Sequence, residues 1–328
     1  MMNNRDLIIT RTPLRISFFG GGTDIPYFFK KEFGQTLSVA INKYVYVIIK
    51  THNNYDEKYR INYSKTENVN FLNDMKNKRV KSILNYFKIK NPLYISTISD
   101  IPANTGLGSS SAFTVGLIRA VLILKNKKMS KEAIANLAFK IEHSLKEDLG
   151  KQDQYISSLG GIKHFIYRKN STVKLNTLKI NNKIQKLLKN SLLIYTGQKR
   201  LSKNILKKQK KNFKKNYHNL VQLKKNVNKF INLLKKNNNL ESIGNLFDNS
   251  WKLKIKLSDK ISNTKINKLY ESLISDGCYG GKLLGAGNGG FIFMIMNYKT
   301  KKKILNKLKK YKIFQPQIDY NGSIVLKK

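Results

Sequence analysis

The sequence predicts an α+β protein built as two lobes, on three observations. Short β-branched and aromatic segments dominate the first hundred residues, two helical patterns fill the middle, and helices and strands alternate through the second half. A chain of 328 residues with 41% hydrophobic content is long enough to bury two cores of ordinary size.

The segments 6–12, 39–51, 58–63 and 92–96 are punctuated by Gly, Asn and Pro, and their composition predicts strands. From 109 to 125 and from 130 to 149 the apolar residues fall at helical spacing. In the second of these Ile134, Leu137, Ala138, Ile141 and Leu145 form one face, with Ser130 as the N-cap. The run 191–196 (SLLIYT) predicts a strand, and a single long Lys-rich helix is expected over 201–236, where Leu220, Leu223, Val227, Phe230 and Leu234 make one apolar stripe. Helices over 263–275 and 300–311 alternate with strands at 290–296 and 323–326. No repeat and no Pro-, Gly- or Ser-rich linker marks a boundary. The division is placed near residue 190, giving an N-terminal domain over 1–190 and a C-terminal domain over 191–328.

No apolar run reaches the roughly 20 residues a membrane span needs, and residues 1–10 lack the apolar core of a signal peptide, so a cytoplasmic protein with no membrane partner is expected. The lone Cys278 excludes an intrachain disulfide and any multi-cysteine metal site, and a small buried apolar role suits it better than a reactive one. The formal net charge of +44 points on its face to polyanions. Yet only Arg5, Arg11, Arg15, Arg60, Arg79, Arg119, Arg168 and Arg200 among the 63 basic residues are Arg, against an excess of Lys, Asn and Ile. Selection for base or phosphate readout favours Arg forks. The excess is therefore assigned to coding composition rather than to nucleic-acid binding, although it still attracts anionic substrates.

The stretch 101–112, IPANTGLGSSSA, lies between a strand and a long apolar helix. Gly106 and Gly108 permit a tight turn, and Ser109, Ser110 and Ser111 open the helix. Free amide N–H groups, a helix dipole and three hydroxyls then converge on one point, which suits phosphate, and the hydroxyls suit magnesium. A plain glycine turn with a serine cap is the competing explanation. No Gly-Lys-Ser/Thr follows, so this is not a Walker A loop, and it lacks the three spaced glycines of a dinucleotide fingerprint.

Pro102 with Gly106, Leu107, Gly108, Ser109 and Ser110 resembles the Pro-x-x-x-Gly-Leu-Gly-Ser-Ser signature of the GHMP kinases, the superfamily of galactokinase, homoserine kinase and mevalonate kinase. Two further loops fall where that family's other motifs fall. The first is RTPLRISFFGGGTD over 11–24, where the resemblance implies that Arg15, Gly20, Gly21, Gly22, Thr23 and Asp24 meet the phosphoryl acceptor. Asp24 would accept hydrogen bonds from sugar hydroxyls, and Arg15 would offset the developing oxyanion. The second is LLGAGNGGF over 283–291, containing Gly285 and Gly287, which resembles the glycine loop that packs against the phosphate loop. Asn288 interrupts its glycine run but tolerates left-handed angles.

Phosphoryl transfer needs a metal at the triphosphate, a nucleophile held in line and a group to take its proton. Glu142 and Asp153 are the candidate carboxylates, a solvated helix Glu and a helix-capping Asp being the bland alternatives. The resemblance makes Glu142 the Mg2+ ligand together with a loop serine, Ser110, although the residues themselves leave Ser109 equally open. It makes Asp153, in GKQDQ, the catalytic base. His143 beside them is expected to be structural or exposed.

RISFFGGGTDIPYFF, INKYVYV, YTGQKR and GGKLLGAG are most similar to the kinases of D-glycero-D-manno-heptose 7-phosphate. That resemblance implies ATP and Mg2+, a sugar-phosphate acceptor, transfer to its anomeric hydroxyl, and a role in nucleotide-heptose and surface-glycan synthesis. The acceptor's own phosphate would need a cationic pocket, for which Arg200, Lys199 and Lys43 are the candidates. A fucokinase- or galactokinase-like enzyme of a neutral sugar is the alternative acceptor class, and a basic nucleic-acid-binding platform the alternative outside enzymes. A homodimer is left open. The implied fold is the two-lobed GHMP kinase fold, with a ribosomal protein S5 domain 2-like N-terminal lobe and a ferredoxin-like C-terminal lobe.

Overall fold

The computed structural model describes residues 7–51, 58–145, 148–176, 178, 180–198, 202–236 and 239–328. The first lobe runs β1 (Leu7–Phe19), α1 (Pro26–Phe29), β2 (Gly34–Thr51), β3 (Tyr59–Asn62), β4 (Thr66–Val69), α2 (Lys78–Tyr86), β5 (Leu93–Ser99), α3 (Ser109–Leu124), α4 (Lys131–Ser144), α5 (Gln152–Leu159), β6 (Ile162–Tyr167), β7 (Val173–Asn176) and α6 (Asn181–Lys189). The second runs β8 (Ser191–Tyr195), α7 (Ser202–Lys211), α8 (Phe213–Lys235), α9 (Leu240–Ile255), α10 (Thr264–Ser275), β9 (Gly280–Leu283), β10 (Phe291–Ile295), α11 (Tyr298–Lys307) and β11 (Ile313–Phe314). It is followed by β12 (Ile324–Lys327).

The first sheet has the order β12-β1-β2-β5-β3-β4, with β6 on the far end of β2 and β7 beyond it. All its described pairings are antiparallel except β3 with β5. Helices α3 and α5 pack on it. Gly116 lets α3 approach closely, since a β-carbon there would lie 2.9 Å from Thr12 Oγ1, and Thr10 Oγ1 donates to the Gly116 carbonyl at 3.0 Å. The second sheet, β11-β8-β10-β9, is antiparallel, and its order is that of a ferredoxin-like lobe. The two-lobed α+β architecture expected from the sequence is therefore the one observed. The final strand departs from the simple division at 190: β12 returns to pair antiparallel with β1, so the end of the chain completes the first lobe.

Phe18 and Phe19 at the end of β1 join the lobes. Phe18 meets Phe230, Phe247 and Phe293 at centroid distances of 5.7, 5.7 and 5.6 Å, and Phe19 meets Phe247 at 4.4 Å. Each such pair contributes about 0.5–1.5 kcal/mol beyond the area it buries. The stripe expected on the Lys-rich segment lies in this core: Leu220, Leu223, Val227, Phe230 and Leu234 are all buried.

The single helix expected over 201–236 is two, separated at the one residue Asn212, after which Phe213 turns in to meet Tyr27, Phe28 and Tyr217. The helix expected to reach residue 149 ends at Ser144. Ser130 caps α4 by accepting from Ala133 N at 3.1 Å. Cys278 is buried, which pushes its thiol up to about 12.

Candidate active site

The end of β5 leads through 100–108 into α3, whose N-cap is Gly108 at φ +80°. Gly106 is also left-handed, at φ +89°. Because Gly108 brings no capping side chain, the first amides of an almost wholly buried helix face the cleft beside Ser109, Ser110 and Ser111, a ready anion site. Arg15 fastens this loop to β1: its amide donates to Leu107 O at 2.9 Å and its Nη1 to Gly106 O at 2.6 Å. Pro102 is exposed and Leu107 fully buried, so both shape the loop from outside the cleft. Pro102 O accepts from Thr105 Oγ1 at 2.9 Å.

The same guanidinium holds Asp153. Nε donates to Oδ1 at 2.8 Å and Nη2 to Oδ2 at 2.7 Å, a two-point pair with Arg15 buried and the Asp153 side chain 29% exposed toward the cleft. Asp153 stands in the first turn of α5, where the helix dipole favours a negative charge. Asp24 lies close by and is buried, with its carboxylate accepting from Gly22 N at 3.0 Å and Gln152 N at 3.1 Å. Burial pushes this carboxyl up to about 6, and the Asp153 charge adds to the rise. Thr23 faces away and braces the glycine turn, donating to Gly20 O and Gln35 O at 2.8 and 2.9 Å, while Gly20, Gly21 and Gly22 line the cleft.

Glu142 is fully buried behind the serine loop. It accepts from Thr114 Oγ1 at 2.6 Å, Ser111 Oγ at 3.0 Å and Gln154 Nε2 at 2.5 Å, with Arg79 Nε 3.5 Å away. The serine bonded to this carboxylate is thus Ser111, whereas Ser110 is exposed on the cleft side. Among the described residues no cluster of three His, Cys, Asp or Glu side chains suits a metal. The donors present, one carboxylate and adjacent hydroxyls, are hard oxygens of the type Mg2+ takes when phosphate and water complete its shell. His143 is exposed and stacks on Phe139 at 5.4 Å, outside the cleft lining.

The second lobe supplies the opposite wall. Gly290, at φ +100°, brings the third glycine loop against the first: a β-carbon there would lie 2.0 Å from Thr105 O, and Phe291 N donates to that carbonyl at 3.1 Å. Gly285 borders the cleft, while Gly287 is set against Ile261. Of the residues suggested for a second phosphate, Lys43 does not reach the cleft. It lies on β2 with its ammonium 5.3 Å from the Phe314 ring, a direction fixed by strand alternation. Lys199 and Arg200 lie outside the described residues.

Three cations that sequence reasoning passed over do line the cleft: Arg79 from α2, Lys254 from α9 and Lys282 from β9. Lys254 donates to Leu283 O at 3.0 Å and Gly285 O at 2.5 Å. Lys282 is buried and donates to Phe18 O at 2.9 Å. Burial brings its ammonium down to about 7, with the Arg15 charge adding to the fall. A Lys inside the otherwise apolar run GGKLL was the available signal for Lys282, and Arg79 on a surface-patterned helix gave none.

A cleft between two lobes, with an anion cradle on one side and an Arg-held aspartate facing it, defines an enzyme that moves a phosphoryl group onto a small molecule. The chain belongs to the GHMP kinase family, matching the GHMP kinases N terminal domain over residues 77–161 and the GHMP kinases C terminal domain over residues 226–313, and it is an ATP-dependent phosphotransferase of that family. It is 33% identical over 320 residues, covering 92% of this chain and 93% of the relative, to a D-glycero-alpha-D-manno-heptose 7-phosphate kinase from Campylobacter jejuni. In fold it is similar to a D-glycero-D-manno-heptose 1-phosphate kinase from Bacteriodes thetaiotaomicron, at TM-score 0.77 and 21% identity over 98% of this chain and 99% of the other. It is also similar to the Methanococcus jannaschii mevalonate kinase, at TM-score 0.73 and 24% identity over 97% and 100%.

Proposed function

We propose that this chain transfers the γ-phosphoryl group of ATP to the anomeric hydroxyl of D-glycero-D-manno-heptose 7-phosphate, giving the 1,7-bisphosphate and ADP. The observation that carries the chemistry is the two-point pair between Arg15 and Asp153, set directly against the Gly106–Gly108 turn. It holds one carboxylate in a fixed orientation beside a phosphate cradle. The acceptor is supported by the likeness to the Campylobacter jejuni heptose kinase along nearly the whole chain.

In this reading the sugar's ring hydroxyls donate to Asp24, and its anomeric hydroxyl points between Asp153 and the nucleotide. The anomeric oxygen forms a bond to the γ-phosphorus as the bond from that phosphorus to the β,γ-bridging oxygen breaks. ADP leaves with the electron pair, and the proton passes to the Asp153 carboxylate. The amides opening α3 and the Arg15 guanidinium face the negative charge that spreads over the transferring group. When bound, Mg2+ supplies charge neutralisation at the triphosphate, and Glu142 with Ser110 would hold it.

Phosphorus NMR of the product, formed from heptose 7-phosphate and ATP, tests the regiochemistry. A new resonance coupled to the anomeric proton is expected, and phosphorylation at any other carbon contradicts the reading.

A further inference from the structure

Lys282 sits in β9, only 7% exposed, lines the cleft, and has its ammonium bonded to one carbonyl, Phe18 O. Among the described residues no carboxylate pairs with it, and the neighbouring charge that acts on it is the like charge of Arg15. Taking an ammonium out of water without a counter-ion is costly, which is why burial brings this one down to about 7, and an anion entering the cleft would restore its charge. The backbone is shaped to put it there. A β-carbon at Gly280 would lie 2.1 Å from Gly244 O, so the strand lies flush on α9.

Of the other cations in the cleft, Arg15 pairs with Asp153, Arg79 stands beside Glu142 and Lys254 donates to two carbonyls. Lys282 stands on the second lobe's wall. Its anchor, Phe18, lies two residues before Gly20, the first glycine of the turn that carries Asp24. The ammonium is thus tied to the end of the strand that leads into the acceptor loop.

We propose that Lys282 receives the phosphate group the acceptor already carries, and so sets the preference for a phosphorylated over a neutral sugar. This rests on the sugar-phosphate reading above and adds the residue that enforces it.

The test is calorimetric titration, without nucleotide, of heptose 7-phosphate and of unphosphorylated heptose into the wild type, Lys282→Met, Lys282→Gln and Lys282→Arg. The wild type is expected to favour the phosphorylated sugar by about 10- to 100-fold, the worth of one or two charge-assisted hydrogen bonds. Met and Gln should abolish that preference while leaving the affinity for heptose and for ADP unchanged, and Arg should restore part of it. An apolar replacement for a buried unpaired cation is neutral or stabilising, so the Met variant should melt no lower than the wild type, and the Gln variant supplies the same readout if it does. Retention of the preference in both neutral variants overturns the proposal, as does a loss that falls on ADP instead. A wild type with no preference for the phosphorylated sugar overturns the sugar-phosphate reading itself.

Discussion

Gly150 and Asp24 approach so closely that position 150 can carry no side chain: a β-carbon there would lie 1.8 Å from Asp24 Oδ2. Gly150 opens the turn into α5, so its contact with Asp24 fixes the distance between the acceptor loop and the helix that presents Asp153.

Gly150→Ala must therefore move the Asp24 carboxylate or the start of α5. An ångström of misplacement at a reacting centre costs about 100-fold. The variant is expected to raise KM for the sugar and lower kcat by about 10- to 100-fold together, with ADP affinity unchanged by calorimetry.

Asp24 itself gives a pH dependence. As an acceptor of sugar hydroxyls it works ionised, so kcat/KM should fall as pH drops through about 6, and Asp24→Asn should remove that limb from the profile. The stability effect has the opposite sense. The folded protein holds this proton from the ordinary value of 3.8 up to about 6 while the unfolded chain has released it, so stability falls as pH rises across that window, by about 3 kcal/mol at most. Thermal melts of wild type and Asp24→Asn across pH 4 to 7 check the sign.

Asp153→Asn keeps the size of the side chain and removes the base. Turnover is expected to fall by about 100-fold or more, with nucleotide affinity nearly intact, measured by steady-state kinetics and ADP titration. Near-wild-type turnover would remove Asp153 from the mechanism.

Arg15→Lys keeps the charge but cannot make both the two-point contact to Asp153 and the bond to Gly106 O. A loss of about 10- to 100-fold in kcat is expected, larger than the change in KM for either substrate.

The glycine loops were legible because their chemistry is local. Gly106 and Gly108 adopt left-handed angles that other residues resist, and the serines follow in the same turn. Asp24 and Asp153 were legible through the motifs around them, while their neighbours were not: Gly150 matters because of a carboxylate 126 positions earlier, and Lys282 because of a carbonyl 264 positions away. No periodicity encodes such contacts, since they arise only when segments far apart in the chain come together. Lys43 shows the reverse error. Its charge and its place after the first motif suggested a phosphate pocket, but it lies on β2 beside Phe314, away from the cleft. The break at Asn212 was likewise hidden, because helical bonding runs on through it, Asn212 N donating to Lys208 O and Asn216 N to Asn212 O at 3.0 Å.

The most direct measurement is ADP release under Mg2+ and ATP at matched ionic strength, across heptose 7-phosphate, mannose 6-phosphate, free mannose, fucose and galactose. Selective turnover of heptose 7-phosphate is the predicted result. Turnover confined to a neutral sugar would contradict the assignment of a phosphorylated acceptor.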